Sequence, residues 1–223
     1  ETELGLKTGI AAELSAIKKN IIAGASEDYI ASRGEYLSGM LLADYLGFGF
    51  LDAAELVSFH SDGTYDDETT QKWTQMLAST ERVVVPGFYG RKRDGSIKTF
   101  SRGGSDITGS IVARAVQADV YENWTDVSGF LMADPRIVDN PKVISIVTYS
   151  ELRELSYMGA TVLHEDAIFP VRRAQIPINV RNTNRPDDEG TMIIPDGYLK
   201  YYKREGVLTG VAGRTGFTVI TVY

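Results

Sequence analysis

Apolar residues recur at helical spacing in the first half of the chain. Residues three or four positions apart predict an amphipathic helix over 9–22, built on Ile10, Leu14, Ile17 and Ile21. A second helix is predicted over 34–46, and the acidic start of 66–80 predicts a third. The short apolar run FGFLDA, residues 48–53, is typical of a buried strand.

A strand and a hairpin follow in the middle of the chain. The β-branched run ERVVVPGFYG, residues 81–90, predicts a buried strand that ends at Pro86-Gly87. Asp94-Gly95 then lies between two short polar segments, which is typical of a hairpin turn. Ser105 is predicted to cap a helix that runs to about Ala118, with three residues facing the core: Ile107, Ile111 and Ala115.

Strands and helices also alternate in the second half. DVYENWTD, residues 119–126, and IPINVR, residues 176–181, predict strands, and a helix is predicted over 164–174. Thr148 and Glu151 have the spacing of a capping box that opens a further helix. This alternation predicts an α/β fold in which a mostly parallel sheet carries helices on both faces, a three-layer α/β/α sandwich.

The composition of the chain changes near Pro186. The segment NRPDDEG is polar and rich in turn-forming residues, and the strand-like TMIIP follows it. Residues 206–223 then begin a new pattern of strand-forming residues. We therefore predict one large domain over 1–195, and a linker with the first strand of a smaller domain over 196–223.

The bulk composition narrows the possible functions. The chain has 223 residues and a formal net charge of −7, which argues against nonspecific nucleic-acid binding. It contains no cysteine and two histidines, so we predict neither a disulfide scaffold nor a metal site. No apolar run reaches the roughly 18 residues of a membrane helix, and the first residues do not resemble a signal peptide. We expect a cytoplasmic protein with no membrane partner.

The stretch SRGGSDITGS, residues 101–110, carries the strongest candidate chemistry. Its two glycines let the backbone approach a ligand just before a helix N-terminus, which favours anions. Arg102 offers a planar fork suited to a carboxylate or a phosphate. A glycine turn, with Ser105 as N-cap and Asp106 as a partner of the helix dipole, would explain the same residues, and both explanations stay open.

Two further polar clusters follow predicted elements. SRGEYLSG, residues 32–39, places Glu35 at the start of a predicted helix, where an ordinary first-turn acid is the simpler explanation. Thr125 and Asp126 end a strand before a glycine turn, a typical position for ligand contacts. Downstream, Asp134-Pro135-Arg136 is explained equally well as a rigid structural turn.

Taken in order, these stretches resemble the catalytic domain of aspartate kinases, within the amino acid kinase family. The matching motifs cover about residues 30–183 at similar spacing: SRGEYLS, VPGF, SRGGSD, WTDVSGFLMADPRIV, GATVLH and IPINVRNTN. EGTMII is similar to the family's GGTMI, and LTGVAGRTGFTVITV resembles the first strand of an ACT regulatory domain. The resemblance implies the amino acid kinase fold over 1–195 and an ACT-like segment within 196–223.

The resemblance also implies a reaction. Family members transfer the γ-phosphate of ATP, with Mg²⁺, to the β-carboxylate of L-aspartate, the first step toward lysine, threonine and methionine, and they commonly form homodimers. Carried over by motif, Glu35 would bind the α-ammonium of aspartate and Arg102 its α-carboxylate, with Ser105 assisting. Asp106 would be the catalytic aspartate. The nucleotide contacts would come from six residues: Thr125, Asp126, Leu131, Arg136, Thr161 and Val162.

The chain departs from the family pattern at three points. Nothing before Glu35 matches the Lys-Phe-Gly-Gly phosphate loop of the family, so we expect the front of the domain to lie outside this sequence. Leu131 stands where many members have tyrosine, and Thr161 where many have lysine. Both of these changes fall in the nucleotide half of the site.

Two alternative functions stay open on the sequence alone. A chain without the phosphate loop would fit a regulatory module that binds aspartate without turnover. A kinase acting on another amino acid, such as glutamate, would share most of the same motifs.

Overall fold

The computed structural model describes residues 5–157, 165–204, 208–213 and 216. The chain divides into two compact units, Glu1–Val116 and Gln117–Tyr223. The first unit carries the predicted substrate residues up to Asp106, and the second carries the predicted nucleotide residues from Thr125 onward.

Short strands and longer helices alternate in the first unit. Its helices are α1 (Ile10–Ile22), α2 (Glu27–Leu46), α3 (Ala53–Leu56), α4 (Asp67–Thr74) and α5 (Gly104–Ala115), with a 3-10 turn at Gln75–Ser79. Its strands are β1 (Gly49–Phe50), β2 (Ser58–Phe59), β3 (Val83–Val84), β4 (Tyr89–Lys92) and β5 (Ile97–Thr99). The helices predicted over 9–22 and 66–80 are confirmed, and the strand predicted over 48–53 is present but extends over two residues only.

Helix α2 begins at Glu27 and not at residue 34. The hydroxyl of Ser26 accepts a hydrogen bond from the amide of Tyr29 and caps the helix there. Glu27 and Asp28 occupy the first turn, where their charges favour the helix dipole. The predicted start is wrong because Gly34 lies inside the helix instead of at its boundary.

The sheets of the first unit combine parallel pairs with one hairpin. β1 pairs with β3, and β2 with β4, both in parallel. β4 and β5 form the antiparallel hairpin predicted at Asp94-Gly95, with Arg91 opposite Ile97. A buried apolar cluster includes β2 and α5 side chains and forms the core here: Leu56, Val57, Phe59, Leu77 and Ile111.

The start of helix α5 differs from the prediction. The helix begins at Gly104, so Ser105 lies inside the first turn and is not the N-cap. Gly103 takes the capping position with a left-handed backbone, φ 56°. A glycine adopts this conformation at little cost, and the chain therefore enters the helix without a side-chain cap.

The rest of helix α5 follows its predicted pattern. Ile111 is fully buried, and Ile107 and Ala115 pack against the core cluster while partly exposed. The helix ends at Ala115, earlier than predicted, because Gln117 has a left-handed backbone with φ 51° and turns the chain away.

The second unit contains one mixed sheet and two described helices. Its strands are β6 (Tyr121–Thr125), β7 (Ile146–Thr148), β8 (Ile178–Asn182) and β9 (Thr191–Ile194), in the order β6-β8-β9-β7. β6 pairs with β8, and β7 with β9, in parallel, whereas β8 and β9 are antiparallel. The helices are α6 (Tyr149–Tyr157) and α7 (Glu165–Arg173), and a 3-10 turn covers Asp196–Tyr201. Because most described strand pairs are parallel, the predicted α/β class is confirmed.

The predicted capping box at the start of α6 is present. The amide of Thr148 donates to Glu151 Oε2 at 2.9 Å, and the amide of Glu151 donates to Thr148 Oγ1 at 3.2 Å. Two free amides at the helix start are thereby satisfied by a local motif that the sequence alone displays.

The C-terminal predictions are tested only in part. Most of the strand predicted over 206–223 lies outside the described residues. The domain boundary at residue 195 and the ACT-like segment therefore stay predictions. In the described part of the chain, no helix is both long and apolar enough to cross a membrane.

We expect Ile111→Ala to lower the free energy of unfolding by about 3 kcal/mol, because it leaves a cavity in a fully buried cluster. Ile22→Ala is the matched control: that side chain is 77% exposed, and its truncation should cost less than about 1 kcal/mol. Urea unfolding followed by circular dichroism measures both. Equal losses would contradict the assignment of this core.

Candidate active site

The loop over residues 85–88 joins two segments that carry predicted substrate residues. A β-carbon placed on Gly39 of α2 would lie 3.4 Å from Cβ of Pro86. One placed on Gly87 would lie 3.1 Å from Cα of Ser105 in α5. Adjacent residues of one loop therefore contact both helices, which brings α2 and the N-terminus of α5 to a common position.

The N-terminus of α5 is packed against this loop without spare room. A β-carbon on Gly104 would lie only 2.6 Å from Cβ of Phe88, so a larger residue would displace the loop. The amide of Phe88 donates to Thr108 Oγ1 at 3.0 Å, and that hydroxyl donates to the Gly104 carbonyl at 2.8 Å. These contacts fix the start of α5, where the first backbone amides of a helix have no acceptor within the helix and favour anions.

Glu35 and Arg102 remain available to a ligand. Both side chains are exposed, and within the described residues neither makes a hydrogen bond or an ion pair. Glu35 lies in the interior of α2, so its interpretation as a first-turn acid is wrong. Arg102 directly precedes the Gly103 cap of α5.

Ser105 and Asp106 occupy the first turn of α5. Ser105 is exposed and faces the backbone of Gly87. Asp106 is half-buried, and its charge favours the N-terminal end of the helix, as the turn explanation also required. The structure thus places Arg102 just before the cap of α5, and Ser105 and Asp106 in its first turn.

Arg33 is a support of this site that the sequence analysis missed. The side chain is 9% exposed, and its guanidinium lies 4.7, 4.6 and 5.3 Å from the ring centres of Tyr29, Tyr36 and Tyr89. Residues two apart on a helix do not share a face, so Arg33 is buried while Glu35 stays exposed. In the sequence, the tyrosines four residues before and three residues after Arg33 could have indicated this cation–π contact.

A cavity of about 780 Å³ in the second unit is lined by three of the six predicted nucleotide residues. Asp126, Leu131 and Arg136 all line it. Apolar side chains provide further walls, among them Phe130, Val143 and Leu155. Apolar walls with a few polar groups are typical of small-ligand and cofactor sites.

Thr125 lies at the end of β6 beside this cavity. Its hydroxyl donates to Asp126 Oδ1 at 3.3 Å, and its carbonyl accepts from the amide of Thr183 at 2.8 Å. The strand end is thereby fixed next to β8. Thr161 and Val162, the other predicted nucleotide contacts, lie outside the described residues.

Arg136 forms a close ion pair with Asp134. Its Nη2 donates to Asp134 Oδ2 at 2.6 Å, and its backbone amide donates to Oδ1 at 2.8 Å. These hydrogen bonds lower the pKa of Asp134 to about 2. The pair makes Asp134-Pro135-Arg136 a rigid turn, and the same turn forms part of the cavity wall.

Several lining residues were not predicted as site residues. Asn182 Nδ2 donates to Ser128 Oγ at 2.9 Å, and Ser128 Oγ donates to Asp188 Oδ2 at 2.6 Å. Ser128 and Asn182 line the cavity, and Asn182 lies in the motif IPINVRNTN, which was the signal for it. Residues 211–213 also line it, although no local pattern in the sequence pointed there.

Comparison with known proteins gives the family. A sequence profile described as the amino acid kinase family matches residues 4–182. The chain therefore belongs to the amino acid kinase family. It is 48% identical to aspartokinase 3 of Bacillus subtilis over 140 residues, which are 63% of this chain and 30% of that protein. It is 33% identical to aspartokinase 1 of the same organism, over 87% of this chain and 50% of that one.

Solved structures agree with this result. The crystal structure of Clostridium acetobutylicum aspartate kinase superposes with a TM-score of 0.86 at 56% identity, over 95% of this chain and 48% of that one. Escherichia coli aspartokinase III in complex with aspartate and ADP superposes with a TM-score of 0.72 at 27% identity, over 84% of this chain and 47% of that one. The chain has the α/β amino acid kinase fold, and it spans half or less of the length of these relatives.

We expect Arg136→Gln to raise the pKa of Asp134 from about 2 toward its ordinary value of 3.8, because the cationic donor is lost. In the native chain the pair stabilises the fold above that ordinary pKa, and this contribution disappears as the pH falls through about 2. NMR titration of the carboxyl carbons measures the shift. Asp94, whose pKa is lowered by hydrogen bonds from Ser96, is the internal control and should not move.

Proposed function

We propose that this chain forms part of the catalytic domain of an aspartate kinase. The reaction transfers the γ-phosphoryl group of ATP to the β-carboxylate of L-aspartate and yields 4-phospho-L-aspartate and ADP, the first step toward lysine, threonine and methionine. The observation that carries the proposal is the pair of opposite charges, Glu35 and Arg102, both exposed and unpaired among the described residues. They stand on segments that the 85–88 loop connects.

An amino-acid substrate requires two opposite charges in its site. Glu35 would bind the α-ammonium, and the fork of Arg102 would bind the α-carboxylate through two parallel hydrogen bonds. With the α-ammonium and the α-carboxylate both bound, the orientation of the side-chain carboxylate is fixed. Ser105, exposed in the first turn of α5, would donate a further hydrogen bond.

Phosphoryl transfer to a carboxylate needs positioning more than proton transfer. The β-carboxylate is already ionised at neutral pH, so one of its oxygens bonds to the γ-phosphorus while the bond to the bridging oxygen of ADP breaks. The first-turn amides of α5 favour the negative charge of the transferring group. Asp106, in that turn, would orient the groups that bind the phosphates.

The cavity of the second unit fits the nucleotide. Leu131 and its apolar neighbours would contact the base, and Asp126 and Thr125 would bind polar groups of the nucleoside. Arg136 would contact the nucleotide phosphates. The backbone of Thr161 and Val162, predicted from the family motif, would provide the remaining nucleotide contacts.

The metal ion would be Mg²⁺ bound to ATP. The described residues contain no cluster of three acids or histidines able to hold a metal by themselves. Mg²⁺ in phosphotransfer sites is held largely by substrate phosphates and water, with one or two carboxylates, and Asp126 of the cavity is of the required type. The ion would neutralise charge on the transferring phosphate.

The remaining assignments rest on the family alone. We propose that the natural protein works in the cytoplasm as a homodimer, without nucleic acid or membrane as a partner. Neither alternative, an aspartate-binding module without turnover or a glutamate kinase, is favoured by the relatives, all of which are named as aspartokinases or aspartate kinases above.

Hydroxylamine trapping tests the reaction. The acyl phosphate product reacts with hydroxylamine to a hydroxamate, which is measured as its coloured complex with ferric iron. The hydroxamate should form only with ATP, Mg²⁺ and aspartate together. The assay should be run on the chain in its full natural context. Hydroxamate from glutamate in place of aspartate would favour the glutamate kinase, and aspartate binding without any hydroxamate would favour the binding module.

We expect Arg102→Ala to raise the KM for aspartate by at least about tenfold and to lower kcat, since the substrate loses one of its two anchors. Arg93→Ala, at another exposed arginine of the first unit, is the matched control and should leave both constants unchanged. The coupled ADP-release assay measures these constants. Unchanged kinetics in Arg102→Ala would contradict the proposed grip on the substrate.

We expect Asp106→Ala to lower kcat by about 1000-fold while the KM for aspartate changes little, because the residue acts on the transferring group. Asp106→Asn keeps the shape of the side chain but removes its charge, and it should lower kcat by nearly as much. Steady-state kinetics with both variants separates these effects. Small and equal effects of the Asp106 and Arg102 changes would instead support the glycine turn without a substrate site.

A further inference from the structure

A segment near the end of the described chain forms one wall of the cavity. Val211, Ala212 and Gly213 line it. The amide of Val211 donates to the carbonyl of Met132 at 2.7 Å, next to the cavity residue Leu131. The segment 208–213 is thus attached by its backbone to the chain beside Leu131.

Gly210 lets this segment approach closely. A β-carbon there would lie 3.3 Å from both the Met132 carbonyl oxygen and Ile144 Cδ1, and 3.4 Å from Leu155 Cδ2. The two distances of 3.3 Å are tighter than most contacts of a β-carbon, so a side chain here would require its neighbours or the segment to shift slightly. The position of the wall therefore depends on a tight fit.

One carboxylate holds the segment from its N-terminal side. Glu151 Oε1 accepts from Arg204 Nη1 at 2.7 Å and from Thr209 Oγ1 at 2.8 Å, and Oε2 accepts from Arg204 Nη2 at 2.5 Å. The same oxygen Oε2 accepts the amide of Thr148 in the capping box. Glu151 thereby fixes the start of α6 and the 208–213 segment together.

The contact between Glu151 and Arg204 is a strong ion pair. A bidentate arginine–carboxylate pair has a defined geometry, and charge-assisted hydrogen bonds are stronger than neutral ones. These hydrogen bonds lower the pKa of Glu151 to about 2, with Arg204 the largest cause. The side chains of Arg204 and Glu151 are 22% and 32% exposed, so water competes with the pair only in part.

We propose that Glu151 is a positioning residue for nucleotide binding, acting through Arg204 and Thr209 on the cavity wall at residues 211–213. The proposal rests on the proposed function, because it takes the cavity to be the nucleotide site. Glu151 itself is not among the residues that line the cavity. Its effect on affinity therefore comes from the wall that it holds.

Glu151→Gln separates the two roles of this residue. Glutamine still accepts the Thr148 amide in a capping box, but it cannot form the ion pair with Arg204. We expect the Kd for ADP to rise about tenfold, which is the effect of losing one charge-assisted contact. The Kd for aspartate should stay the same. Calorimetry with ADP and with aspartate measures both constants.

Two further variants make the test specific. Thr209→Val removes one hydrogen bond to Glu151 at constant shape, and it should raise the Kd for ADP by about threefold. Thr148→Val is the matched control: it removes the hydroxyl that caps α6 and leaves the contacts of Glu151 with Arg204 and Thr209. It should lower thermal stability without changing the Kd for ADP.

Hydrogen exchange gives a second readout that needs no ligand. The amide of Val211 should exchange faster in Glu151→Gln than in the native chain, because its bond to Met132 opens more often. A native Kd for ADP in Glu151→Gln would overturn the inference, whether or not this amide exchanges faster. An equal loss of affinity in Thr148→Val would overturn it too, since the cause would be the helix cap.

A failure of the proposed function would give a different experimental result from a failure of the positioning role. A native chain that binds no ADP would contradict the nucleotide site, and this inference would fall with it. Native ADP binding with no effect of Glu151→Gln would overturn only the positioning role.

Discussion

The close contact between the 85–88 loop and the first turn of α5 is the constraint on which the proposed substrate site depends. Gly87 and Gly104 leave no space for side chains at this contact, and Phe88 is hydrogen-bonded to Thr108 within the same helix. The loop also touches α2 through Pro86. Two segments far apart in sequence therefore keep a fixed geometry, although their charged side chains do not bond to each other.

The two units use charge in different ways. In the first unit, the side chains of Glu35 and Arg102 are exposed and make no hydrogen bond or ion pair among the described residues. In the second unit, Asp134 pairs with Arg136, and Glu151 with Arg204, so these charges shape the cavity from the protein side. Under the proposed function, the charges of the first unit would bind the substrate, whereas those of the second unit already form ion pairs within the protein.

Local signals in the sequence were sufficient for much of the fold. The capping box at Thr148 and the hairpin at Asp94-Gly95 each depend on a few adjacent residues, and both were predicted correctly. The start of α2 was missed because the cap at Ser26 lies before the apolar pattern that was used. The wall at 211–213 could not be predicted, because its segment contacts Met132 through Val211 and Glu151 through Thr209, and both partners are distant in sequence.

The aromatic enclosure of Arg33 has a consequence for ionic strength. Its positive charge is balanced by three tyrosine rings inside the protein, where dissolved salt has little access. Glu35 and Arg102 face the solvent, where ions screen them. Under the proposed function, added salt would weaken the attraction of Glu35 and Arg102 for a zwitterion, while the position of helix α2 would not change.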